Sequence, residues 1–195
     1  MKQASPNIVV WDPSLRLFHW TLGIAFATAY VVGDGRMHLH VLAGGIVAGL
    51  LLYRLLWGWI GPRHALFSDF VRRPGEVGRH LRELVRGHAE RHVGHTPAGG
   101  AMILLLMAML SLLVITGLLL DGAELMSGPL AALPRVGDGV ALAWLADVHG
   151  MLADAVVAMV ILHVAGVLLE SLLHRENLVL SMVTGRKRPA PKEES

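Results

Sequence analysis

Four histidines, His19, His40, His149 and His163, stand within or at the edge of long apolar stretches. A hydrocarbon interior penalises polar side chains, so histidines placed there have partners. Neutral imidazole is a common metal ligand and an axial ligand for haem iron. His149 and His163 are fourteen residues apart. On a helix that is about 21 Å and almost four full turns, so the two imidazoles point about the same way. Depth in the membrane then pairs the four. His40 and His149 meet near the outer face, and His19 and His163 meet nearer the inner one. The last stretch supplies one ligand to each of two haems. His38 competes with His40 but lies further out, in a short polar turn. The chain has no cysteine, which excludes disulfides, thiolate clusters, zinc–cysteine sites and covalent CxxCH haem attachment. Any haem is therefore b-type, held by axial ligands and packing. A single membrane histidine is more often a hydrogen-bonded structural residue than a ligand; four with compatible depth and face carry the ligand reading. Gly44, Gly45, Gly49, Gly150 and Gly166 lie within a few turns of them. They make room for a flat macrocycle, or serve plain helix–helix packing.

The elements that must position these residues are four apolar runs, at about 15–32, 40–60, 100–120 and 148–173. Each approaches the roughly 20 helical residues that cross a hydrocarbon core, and the last is long enough to tilt. They are too long for barrel strands and lack period-two alternation. The chain has 195 residues, 54% of them hydrophobic, and a mean hydropathy of +0.55, too apolar for an ordinary soluble domain. Its opening lacks the short apolar core and small-residue cleavage site of a secretory signal, so the first run is expected to persist. Charge sets the direction. The loop between the second and third runs holds Arg63, Arg72, Arg73, Arg79, Arg82, Arg86 and Arg91, and the tail adds Arg186, Lys187, Arg188 and Lys192. The opposite loops hold Arg36 and Arg135 beside Asp34, Asp121, Glu124, Asp138 and Asp147. Positive segments stay inside. Trp57 and Trp59 mark the inner interface and Trp144 the outer one. The expected fold is an all-α membrane protein, a four-transmembrane-helix bundle with cytoplasmic N- and C-termini. It forms one domain over 1–188, with a disordered tail over 189–195 in a stretch that is polar from Lys187 onward.

Other polar residues carry two readings each. His174, Arg175 and Glu176 lie about three turns past His163 and, with Arg16, could surround a quinone headgroup; alternatively Arg16 and Arg175 snorkel to lipid phosphates or meet haem propionates. Arg54, inside the second run, needs a propionate or an acidic partner, or snorkels. Asp154 is five residues past His149, about 140° around the helix; it bonds a neighbouring helix, stays protonated or relays protons. The segment GEVGRHLRELVRGHAERH forms an amphipathic helix on anionic headgroups, or a solvated face that enforces topology. The outer acids steer a basic partner, or merely complement the positive inner side. The methionines read as core filler. The arginine-rich loop lacks interleaved aromatics and gives no sign of nucleic-acid binding.

LFHW at 17–20, HVLAG in the second run, WGWIGPRHALFSDF, GHTPAGG and HVAGVLLESLLHRENLVLSMVTGRKR together resemble the bacterial di-haem cytochrome b561 family. That family includes b-type subunits of membrane nickel–iron hydrogenases and superoxide:quinone oxidoreductases. The resemblance covers about 10–188. It implies a four-helix bundle in the bacterial inner membrane with two haem b groups, ligated by the matching His19, His40, His149 and His163. It also implies exchange of electrons with ubiquinone or menaquinone, and a periplasmic redox partner such as a c-type cytochrome. A homodimer is compatible with it. The leading expectation is electron transfer between such a partner and quinone, as a relay or a quinone-linked oxidoreductase. Superoxide:quinone oxidoreduction is the near alternative. A histidine-based metal-ion transporter is more distant, because metal ligands converge on one centre. A purely structural anchor leaves the buried histidines unexplained.

Overall fold

The computed structural model describes residues 7–124, 128–129 and 139–189. Arg135, Asp138 and Lys192 lie outside them, as do the side chains of Asp34 and Glu124. Among the described residues four helices are long and apolar enough to cross a membrane: α1 (Pro13–Val32), α2 (Met37–Ile60), α5 (Pro97–Glu124) and α6 (Gly139–Leu173). Between α2 and α5 come the short α3 (Phe67–Phe70) and α4 (Pro74–Val85). After α6 follows α7 (Leu178–Thr184). Strands β1 (Ile8–Val9) and β2 (Arg186–Lys187) pair antiparallel, Ile8 opposite Lys187 and Val9 opposite Arg186.

Local chemistry sets the helix starts. Asp12 accepts a hydrogen bond from the Leu15 amide at 3.0 Å, with Pro13 next to it. Thr96 does the same for Gly99 at 3.1 Å, followed by Pro97. A short oxygen-bearing side chain satisfies an otherwise bare amide, and proline costs nothing at the first helical position. The DP and TP pairs thus open α1 and α5. Asn177 caps α7 through the Leu180 amide at 2.8 Å. Gly185 ends α7 with φ +79°, a left-handed conformation that a Cβ disfavours. Its carbonyl then receives the amides of Val10 and Trp11 at 2.8 and 3.1 Å.

Three expectations shift. The last helix begins at Gly139, so His149 stands about three turns inside it rather than in its first turn. The basic loop is helical only over Pro74–Val85. The tail is held further than its composition suggests. Lys187 sits in β2 and is buried, with its Nζ donating to the His92 carbonyl at 3.0 Å. Arg91 donates to the carbonyls of Arg188 and Pro189 at 2.6 and 3.1 Å. Residues 190–195 lie outside the described residues.

Contacts divide the chain into two compact units. Unit one comprises Met1–His19, Arg54–Leu104 and Ile161–Ser195. Its centre is Arg54, 2% exposed, whose guanidinium lies over Phe67 and Phe70 at 5.1 and 5.5 Å from the ring centres. These aromatic faces give the buried guanidinium electrostatic support. Unit two comprises Trp20–Tyr53 and Leu105–Val160, with Val47, Leu51, Leu110, Leu113 and Val156 in its core.

Candidate haem sites

Unit two brings His40 and His149 together, their ring centres 6.0 Å apart and their planes at 69°. His40 Nδ1 lies 3.0 Å from the Ala29 carbonyl oxygen, which can only accept. The proton therefore sits on Nδ1 and the lone pair on Nε2. His149 Nδ1 lies 2.9 Å from Thr116 Oγ1. That hydroxyl is already placed to donate to the carbonyls of Leu113 and Leu112, at 2.9 and 3.1 Å. It accepts from Nδ1–H, and His149 too presents an Nε2 lone pair. Such anchoring of the distal nitrogen orients metal-binding imidazoles. A Cβ at Gly117 would lie 3.1 Å from His149 Cε1, so glycine there seats the ring. A cavity of about 210 Å³ opens beside the pair, lined by Gly44, Gly45, Gly117 and the buried Asp121 among others.

Unit one brings His19 and His163 together, with ring centres 6.3 Å apart and planes at 56°. Both spacings can be tested against a shared metal. With a metal–nitrogen bond of about 2 Å, and nitrogen about 1.1 Å from its ring centre, two imidazoles on opposite sides of one metal have centres about 6.2 Å apart. Beside Gly44, Gly45, Gly49, Gly150 and Gly166 nothing lies within 4 Å of where a Cβ would point, leaving room for a flat ligand. Among the described residues no group of three or more His, Cys, Asp or Glu could hold a metal ion. Each imidazole pair would serve as the two protein ligands of a haem iron.

A comparison of whole sequences decides the family. The profile of prokaryotic cytochrome b561 matches residues 10–185. The chain belongs to the prokaryotic cytochrome b561 family. A relative from Bradyrhizobium diazoefficiens, described as a probable Ni/Fe-hydrogenase B-type cytochrome subunit, is 23% identical over 221 aligned positions, covering 94% of this chain and 87% of the relative. No solved structure matches the chain with significance. Membership makes this a multi-pass, haem b-binding electron-transfer protein of the membrane, and the imidazole geometry fits that cofactor.

Of the other residues expected at a site, Arg16 donates from Nη1 to the Val183 carbonyl, while its Nε is buried without a hydrogen-bond partner. His174, just past α6, has a buried Nε2 in the same condition. Burial pushes the His174 pKa down, as do Arg91 and Lys187, while Glu170 and Glu176 oppose the shift. Arg175 is exposed, in a turn with φ +48°. Glu176 accepts from Arg91, at 3.0 and 3.1 Å, and from the Arg188 amide at 2.8 Å. Burial alone would raise its pKa, but these bonds outweigh it and hold the carboxyl below its usual range. Asp154 accepts from the Tyr30 hydroxyl at 2.9 Å, the neighbouring-helix alternative.

Sequence reading missed the residues that orient the unit-two pair. Thr116, Gly117 and the Ala29 carbonyl orient the unit-two pair, and no spacing signal marks them. In unit one, His95 of the GHTPAGG segment packs against Trp11 and Phe70, with ring centres 4.6 and 5.0 Å away and its Nδ1 buried. Burial, reinforced by Arg54, pushes its pKa down to about 3.

Proposed function

We propose that this chain holds two haem b groups, one between His40 and His149 and one between His19 and His163. On this reading it carries single electrons between a redox protein and the quinone pool. Haem supplies a reversible one-electron carrier. The protein's residues fix its axial ligands, exclude water and set the polarity around it. The carrying observation is the pair of imidazole spacings, 6.0 and 6.3 Å, each near the separation that one shared iron requires. α6 contributes one histidine to each pair.

His174 Nε2 and Arg16 Nε, buried and without hydrogen-bond partners, favour a quinone headgroup in unit one, because quinone oxygens accept hydrogen bonds. Arg54, Arg16 and Arg175 are the candidate partners for haem propionates. The concentration of arginines in 63–91 and 186–188 supports cytoplasmic termini and a bacterial inner-membrane location. The donor is then a periplasmic redox protein, either a c-type cytochrome or a hydrogenase of the kind its relative's description names.

The test uses purified protein in lipid nanodiscs, reduced with a limiting amount of dithionite. Added decylubiquinone or menadione should reoxidise the haem, and His174→Ala should slow that step while leaving the reduced spectrum intact. Haem that stays reduced with either quinone contradicts the quinone assignment. A superoxide source that reduces the haem would favour the superoxide:quinone alternative.

A further inference from the structure

Reducing one quinone to quinol takes two electrons and two protons. The electron route above leaves the protons unassigned. Unit one contains a polar cavity of about 110 Å³ lined by Glu76, Arg79, His80, Glu83, Glu90, His92 and Pro97. That is room for several waters with many polar partners. Its inner wall is His80, only 3% exposed, whose ring centre lies 5.6 Å from that of His92. His80 Nε2 reaches Glu170 Oε1 at 3.5 Å, and Thr96 Oγ1 donates to the same oxygen at 2.9 Å. Glu170 belongs to α6, seven residues after His163. That is about 10.5 Å along the axis and within about 20° of the same direction. His174 follows one turn later on nearly the same side, and its amide donates to the Glu170 carbonyl at 3.0 Å. A carboxylate only 13% exposed beside a buried imidazole is costly unless the pair does something besides packing.

We infer that His92, His80 and Glu170 form a proton-entry path, running from the polar cavity to the face of α6 that carries His163 and ends at His174. This inference rests on quinone reduction in unit one and deepens it. A proton taken from bulk solvent and relayed by cavity water reaches His92 or His80. His80 passes a proton through Nε2 to Glu170, and Glu170 delivers it towards the headgroup, where it adds to a quinone oxygen. The two electrons come from the external redox protein through the imidazole-held sites. The charged and titratable groups acting on this path are Glu76, Glu83, Glu90 and Arg79 at the cavity, and His163, His174 and Lys187 around Glu170, with Arg91 and Glu176 beyond. Thr96 holds the carboxylate in place and is a positioning residue.

The experiment compares wild type, Glu170→Gln, His80→Gly and His80→Asn as haem-loaded protein in nanodiscs. Glu170→Gln preserves the acceptor for Thr96. Quinone reduction should fall at least about tenfold in all three variants at neutral pH, the lower edge of what a positioned acid–base group supplies. The rate of haem reduction by dithionite and the reduced spectrum should stay the same. Added imidazole should restore His80→Gly and leave Glu170→Gln slow. Variant rates within twofold of wild type, or a His80→Gly defect that imidazole leaves untouched, overturn the path. If Glu170→Gln fails to assemble, imidazole rescue of His80→Gly decides. Redox-difference infrared spectra give a reading that needs no quinone. A carboxyl band that responds to haem reduction should be present in wild type and absent from Glu170→Gln, and its presence in both overturns the assignment. Wild-type protein that reduces no quinone refutes the quinone reading instead, and the infrared band then still decides the path.

Discussion

The four histidines differ in what holds them. His40 and His149 are held through Nδ1 by a backbone carbonyl and a threonine hydroxyl, with their ring centres 6.0 Å apart. His149→Ala should therefore lose the unit-two haem and leave the other spectrum largely intact, as read from dithionite-reduced α bands; retention of both haems would refute the pairing. Gly117→Val tests the seat more gently. A Cβ there already stands 3.1 Å from the His149 ring, so the larger side chain should cut haem content by about one equivalent or shift one α band. The histidine types and their spacing were legible because helical periodicity and hydropathy both act on them. Gly117, Thr116 and the Ala29 carbonyl were not. Their roles depend on how α5 and α1 are rotated within unit two, which no local pattern encodes. Asp154 was legible as a residue off the ligand face, but its partner Tyr30 was not.

At the level of elements, unit one is tied by charge as well as by packing. Glu176 is 9% exposed and binds Arg91 and Arg188 just beyond α6. Glu176→Gln should cost about 2 kcal/mol, the size of a hydrogen bond to a charged group, seen as a lowered unfolding temperature in detergent. Because its folded pKa is depressed, the stability it confers is present above the usual glutamate range and is lost as pH falls below it. His95 acts over a higher window. Its pKa falls from an ordinary 6.5 to about 3, so the unfolded chain binds a proton that the folded chain refuses. Stability should decline as pH drops from about 6.5 towards 3, by at most about 1.4 kcal/mol per pH unit. His95→Gln should flatten that slope in a thermal-melt series, and an unchanged slope would contradict the assignment. Hydropathy placed the first and third helix starts at about 15 and 100, whereas the DP and TP pairs open them at Pro13 and Pro97; the arginine loop was visible as charge. That β2 pins Lys187 to the amino-terminal strand was not legible, because two-residue strands leave no periodic signature.

For the whole molecule, the apolar runs predicted four crossing helices, and four such helices are present among the described residues. All four begin earlier than the apolar runs, at Pro13, Met37, Pro97 and Gly139, and capping with proline accounts for the first and third. The opening of α6 at Gly139 is the largest such shift. Family membership adds haem b and electron transfer, and each of the two units holds one imidazole pair. Charge makes a separate prediction at this scale. A fusion reporter placed after Ser195 should read as cytoplasmic, and converting the arginines at 72, 73, 79, 82 and 86 to glutamine should weaken that preference.

The most direct measurement is haem stoichiometry. Pyridine haemochrome assay of purified protein, set against its peptide concentration, should give two haem b per chain, falling to one in His149→Ala or His19→Ala. One haem in the wild type, or two remaining after either substitution, would contradict the paired-imidazole account.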